Sequence, residues 1–263
     1  MSATASVYVV TGGSRGIGKA IVKKLAKDYP TATIVFNYFT REAEATAVAA
    51  EVAAEGGKAS FIQADVGTPA GVQTLFMHAD GFGELRGLVN NAGILGPEGS
   101  VALEDLTAED FQQLFAVNTL GPFLCIQEAV KRMKALAPQP VRGRAAGARG
   151  SIVNISSGSA YIGKPLLYGA SKAALNSLQI GLVPDLGKVG IRLNTISPGM
   201  IATDMVTDEA FAAAAASIPM GRMGEPENIA DATAFFLDEE KSVFTSGANL
   251  RVSGGRPPGS VIG

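Results

Sequence analysis

Apolar residues along this chain fall into short unbroken runs rich in valine and isoleucine, separated by longer stretches with helical spacing. The runs cover residues 7–10, 33–38, 58–63 and 85–89, a stretch from Ser151 to the serines at 156 and 157, and residues 191–196 and 248–252. Between them, residues 19–27, 41–55, 107–133, 168–188 and 227–237 read as helices, with a further helix between the third and fourth runs. Strands that are apolar on both faces and alternate with helices predict an α/β fold, a doubly wound sheet of about seven parallel strands with helices on both faces.

The breaks in the pattern carry their own expectations. Residues 135–150 are rich in Pro, Gly, Ala and Arg and read as an exposed inserted loop. Pro184 should kink or interrupt the helix that contains it, because it lacks the N–H of the helical ladder. The alanine-rich residues 200–223 suggest a lid over a substrate. There is no internal repeat, and residues 1–263 read as a single domain.

Composition narrows the function classes. A net charge of -2 and a pI near 5.6 offer no electrostatic footprint for nucleic acid. The single Cys125 excludes an internal disulfide and suggests a reducing compartment; His78 is the sole histidine, which argues against a His-based metal site or a Ser-His-Asp triad. No apolar run reaches the roughly 18 residues of a membrane span, so a soluble, cytoplasmic protein without membrane contact is expected.

Two stretches carry candidate chemistry. The first strand feeds into Thr11-Gly12-Gly13-Ser14-Arg15-Gly16-Ile17-Gly18 and then a helix, the context of a dinucleotide turn. Glycines at 12, 16 and 18 let backbone approach a pyrophosphate at a helix start. The position about 20 residues on, where a carboxylate would hold the ribose of NAD, is Tyr38. With Arg15 and Arg41 near it, this favours NADP over NAD. Asp65 and Asn90 end strands, where ligands lie in such sheets, and Asn118 is an amide in an apolar helical setting. The second stretch places Tyr168 and Lys172 four apart, on one face of a helix. A phenol with an ordinary pKa of about 10 becomes a usable proton donor when a cation lowers it.

Taken together, Thr11 to Gly18, Asp65-Val66, Asn90-Asn91-Ala92-Gly93, Asn118, Ser156-Ser157, Tyr168-x-x-x-Lys172, Asn194 to Gly199, Thr203 and Gly254-Gly255 resemble the short-chain dehydrogenase/reductase family in its compact single-domain subgroup. The resemblance implies a Rossmann-like sheet and an NADP-dependent oxidoreductase acting on a small-molecule carbonyl or alcohol. It implies Tyr168 as general acid or base, Ser157 as donor to the substrate oxygen, Lys172 on the nicotinamide ribose and tuning Tyr168, and Asn118 holding a water in a relay to Lys172. It further places Asp65 and Val66 at the adenine, and Asn90 and Gly93, with Ala92 between them in the motif, at the adenosine end and phosphates. Pro198, Gly199, Ile201 and Thr203 go to the nicotinamide side, no metal is implied, and a homotetramer or homodimer is expected.

The gap from Ser157 to Tyr168 is shorter than is usual in the family, so Ser156 and Ser159 compete with Ser157; strand alternation favours Ser157. Ile162, Leu166, Leu167, Met200, Ile201 and Met205 are candidates for a partly apolar substrate pocket. Rival readings are a catalytically idle nucleotide-binding sensor or scaffold, and a dehydratase or epimerase with a tightly held nicotinamide. Idle relatives commonly lose the tyrosine or lysine, and the dehydratase class is usually longer.

Overall fold

The structure, a computed structural model, describes residues 5–97, 101–203 and 218–256. Seven strands form one sheet: β1 (Ser6–Val10), β2 (Thr33–Tyr38), β3 (Ala59–Gln63), β4 (Glu84–Asn90), β7 (Gly150–Ile155), β8 (Ile191–Pro198) and β9 (Asn249–Val252). Their spatial order is β3-β2-β1-β4-β7-β8-β9, and every pairing is parallel. The order reverses direction between β1 and β4, which opens a crevice at the carboxyl ends of those strands.

Period-two alternation sends successive side chains to two cores. Tyr8, Val10, Phe36, Val153 and Ile196 pack under α1 (Gly16–Asp28), α2 (Glu42–Ala54) and α8 (Pro226–Leu237). Val7, Val9, Leu88, Ile152 and Leu193 pack under α3 (Pro69–Asp80), α5 (Gly121–Ala135) and α7 (Leu166–Lys188). Burial on both faces explains why these strands read as continuous apolar runs.

Three expectations are corrected. Residues 135–150 do not form an irregular loop: β5 (Gln139–Val141) and β6 (Arg144–Ala148) pair as an antiparallel hairpin whose turn is closed by Gly143 at φ 71. Pro184 does not interrupt α7, which runs on to Lys188. The carbonyl deprived of its partner is that of Ile180, whose side chain is 75% exposed, so water can replace the lost bond, while Leu186 anchors the last turn in the core. Residues 107–133 are not one regular helix, because α4 (Ala108–Phe115) and α5 are joined by a π-helical turn, Ala116–Leu120, around the fully buried Asn118. Most of the expected lid, including Met205, lies outside the described residues.

Candidate active site

At the crevice, the glycine turn is held by polar side chains that bond only to backbone. Thr11 Oγ1 accepts from the amides of Asn91 at 2.9 Å and Ala92 at 3.0 Å, and Asn91 Nδ2 donates to the Thr11 and Gly12 carbonyls. Asn37 Oδ1 accepts from the Gly12 amide at 2.9 Å, while its Nδ2 donates to the Ala64 carbonyl at 2.8 Å. The ends of β1, β2, β3 and β4 are thereby fixed to one another. Gly12 and Gly16 have φ of +67 and +52, and a Cβ on Gly18 would lie 2.1 Å from the Gly12 carbonyl oxygen. Only glycine fits these positions.

The start of α1 has no side-chain cap at Arg15 and no acid in its first turn, so it presents amide donors and a positive helix end beside Ser14 and Ile17. Thr203 Cγ2 stands 3.5 Å from where a Gly16 Cβ would be, on the opposite bank of the same crevice. This cradle fits a pyrophosphate. Tyr38 is buried with its ring edge-on to Phe61, centroids 5.9 Å apart. Arg41 caps the start of α2 and pairs with Glu44 at 2.7 Å, beside an open depression lined by Thr40, Arg41, Glu42 and Thr46. Asp65 accepts from the Gly67 amide at 2.9 Å, and Val66 is buried next to it.

Two of the expected cofactor and relay residues commit side-chain atoms within the protein. Asn90 turns its side chain into the sheet interior, where Nδ2 donates to Asn154 Oδ1 at 2.9 Å and joins β4 to β7. The parity of β4 dictates this, since Asn90 shares the face of Leu88. Asn118 donates to the Ile94 carbonyl and to Ser171 Oγ and accepts from the Ile94 amide, so its side chain is a clamp between the strand end and α7. Gly93 lies beside it, where a Cβ would sit 3.3 Å from both Asn118 Oδ1 and Lys172 Nζ.

On the far side of β4, strand β7 ends at Ile155 and its two following serines diverge. Ser156 is buried and its hydroxyl donates to the Lys172 carbonyl at 3.3 Å. Ser157 turns the other way: it accepts from the Ser159 amide at 3.0 Å and lies close enough to Tyr168 to act on its phenol. Ser159 opens a single turn, α6 (Ser159–Ile162), which absorbs the short gap before Tyr168 together with the Gly163 turn. Burial pushes the Tyr168 phenol above its ordinary range, opposed by the Ser157 bond. Lys172 is 3% exposed, with Nζ donating to the Ile155 carbonyl at 2.9 Å and lying 5.8 Å from the Tyr168 ring centroid; burial lowers it to about 8. The expected lowering of Tyr168 by Lys172 is therefore not the effect seen, because the ammonium is turned to a carbonyl rather than to the phenol oxygen. Pro198 accepts from the Gly158 amide at 2.8 Å, Gly199 bonds the Val252 carbonyl at 2.8 Å, and Ile201 is buried. Among the described residues, no His/Cys/Asp/Glu group could hold a metal ion.

Thr11, Asn37 and Asn91 went unassigned in the sequence. The available signal was positional: each is a small polar residue at the carboxyl end of an apolar strand, where backbone groups outrun the sheet ladder and need partners.

Comparison with known proteins agrees with this geometry. The family model described as "Enoyl-(Acyl carrier protein) reductase" matches residues 12–256. An NADPH-dependent aldehyde reductase-like protein of Arabidopsis thaliana is 36% identical, over 95% of this chain and 93% of its own. A short-chain dehydrogenase/reductase structure from Serratia marcescens superposes with a TM-score of 0.80 at 34% identity, covering 95% of this chain and 97% of that one. A blue fluorescent protein from a metagenomic library, solved with NADPH, gives 0.81 at 36% identity over 97% and 99% of the two chains. A glycine cradle at the sheet crossover, a half-buried tyrosine and a buried lysine one helical turn apart, and matches along nearly the whole length leave one assignment: the chain belongs to the short-chain dehydrogenase/reductase family and is an oxidoreductase that binds a nicotinamide cofactor.

Proposed function

We propose that this protein is an NADP-dependent reductase that interconverts a carbonyl compound and its alcohol. The observation that carries the proposal is the convergence of Ser157, just past the end of β7, on the half-buried Tyr168, whose phenol it acts on, with Lys172 Nζ 5.8 Å from the tyrosine ring centroid. When bound, the nicotinamide supplies the hydride. Ser157 donates a hydrogen bond to the substrate oxygen as negative charge develops there, and Tyr168 delivers its proton to the same atom. Lys172 holds a positive charge under that proton and reaches the ribose through the gap at Gly93. Asn118 clamps Ile94 to α7 and so holds the turn beside Lys172.

NADP preference is supported by Tyr38 in place of an acid, by Arg15 at the start of α1 and Arg41 at the depression by Thr40, and by the NADPH in the name of one relative and in one similar structure. The substrate pocket lies over Ile162, Leu166, Leu167, Met200 and Ile201. A cytoplasmic homodimer or homotetramer formed by a single domain is the corresponding state, supported by the unbroken α7 and its exposed Ile180. The experiment is an aldehyde and ketone panel assayed by loss of NADPH absorbance. Reduction of several members is expected; tight NADPH binding with no turnover on any of them would instead favour the idle sensor.

A further inference from the structure

Arg251 lies at the carboxyl end of β9, in register with Ser197 of β8 and therefore on the same side of the sheet as α6 and α7. Its guanidinium sits over the Tyr161 ring, 5.7 Å from the centroid, and Nη2 donates to the Arg256 carbonyl at 2.7 Å. Among the described residues no carboxylate pairs with it, and its Nε is buried without a partner. A guanidinium carries five donors, and among the described residues only the Nη2 bond to the Arg256 carbonyl engages this one. Tyr161 is 44% exposed and lies in α6, which opens two residues after Ser157, with the Tyr161 amide bonded to the Gly158 carbonyl at 3.0 Å. The cation is thereby tied to the short segment that joins Ser157 to Tyr168.

The surroundings add to the positive field. Residues 218–224 dock on the Gly254–Gly255 turn, with the Met220 amide bonded to the Gly254 carbonyl at 3.0 Å. This brings the exposed Arg222 beside the Gly254 turn, and among the described residues its guanidinium bonds only the Met223 carbonyl. Lys164, in the turn after Tyr161, is exposed and makes no ion pair among the described residues. By contrast Lys19, Lys23, Lys24, Arg132 and Arg192 are all matched with carboxylates.

We propose that Arg251, held on Tyr161, is a specificity-determining residue that binds an oxyanion, a carboxylate or phosphate, carried by the carbonyl substrate at a distance from the reacting carbon. This rests on the carbonyl reduction proposed above. A planar guanidinium stacked on an aromatic face is preorganised for such a group, and a charge-assisted pair of hydrogen bonds distinguishes an anion from its neutral isostere by about tenfold or more.

The test compares 3-carboxybenzaldehyde with its methyl ester in wild type and in Arg251→Met, alongside calorimetric titration of the NADPH-loaded protein with isophthalate. Wild type should favour the acid by about tenfold or more in kcat/KM. Arg251→Met should erase the preference while leaving the ester's kcat/KM unchanged, and should abolish isophthalate binding. Arg251→Gln, which can still donate to the Arg256 carbonyl, decides the matter if the methionine variant fails to fold. Equal kcat/KM for acid and ester in wild type together with no binding of phenyl phosphate, or a preference that survives loss of the charge, would overturn the assignment. If neither aldehyde is reduced, the proposed reaction fails, and isophthalate binding still decides Arg251 independently. Binding by phenyl phosphate but not isophthalate would narrow the oxyanion to phosphate.

Discussion

At the ends of β1, β2 and β4, Thr11, Asn37 and Asn91 use their polar atoms on backbone, so that the surface left for a ligand is main chain bordered by glycine. Past the end of β7, Ser157 and Tyr168 lie against each other, and Lys172 is buried without a carboxylate partner among the described residues. One region binds by shape, with its side chains satisfied. The other keeps side chains in costly states, a phenol pushed up and an ammonium pulled down by burial. The difference teaches that substitutions in the first region should change affinity, and in the second the rate of reaction.

The sharpest way to break this division is Tyr168→Phe. It should lower kcat by about 10²–10⁴ while the NADPH dissociation constant, measured by fluorescence titration, stays near wild type, because a general acid is lost and the ring remains. A parallel loss of affinity would erase the distinction. Next in size is Ser157→Ala, expected to cost about 10²–10³ in kcat through loss of a donor to the developing oxyanion. Ser156→Ala and Ser159→Ala should have small effects in the same assay, and a major loss confined to Ser159 would move the catalytic role along the chain.

Lys172 sharpens the comparison through pH. Its folded-state pKa of about 8 lies below the ordinary 10.5, so between these values the unfolded chain carries a proton that the folded chain does not. Stability from this group therefore rises as pH increases through that window, by up to about 3 kcal/mol. In urea unfolding, Lys172→Met should be more stable than wild type at pH 7 and lose that advantage toward pH 10.5. A difference independent of pH would show that burial does not shift the lysine. The smallest effect belongs to the glycine-turn side: Arg15→Ala or Arg41→Ala should weaken NADPH by about 10- to 100-fold and NADH far less, one charge-assisted contact being worth about 1.5–3 kcal/mol. Equal dissociation constants for the two cofactors in wild type would remove the basis of that prediction.

Some of this was written locally. The β-branched runs, the positive-φ glycines and the four-residue step from Tyr168 to Lys172 follow from backbone sterics and helix geometry, which depend on nearest neighbours along the chain. Those features determined the parallel sheet, the glycine cradle and the tyrosine-lysine pair. Other features depend on what an element meets in space. The hairpin at β5 and β6 hides in a composition that reads as loop, since alanine and glycine carry no strand signal until a partner strand is present. Pro184 stays inside α7 because solvent can satisfy one carbonyl and Leu186 packs the last turn. Asn90 faces Asn154, and Asn118 clamps Ile94, because buried amides take the partners that neighbouring strands and helices offer. The charge state of Lys172 is likewise a tertiary decision: four residues of spacing place it on the helix face of Tyr168, but burial against the Ile155 carbonyl sets its proton affinity, as desolvation depends on everything that surrounds the group.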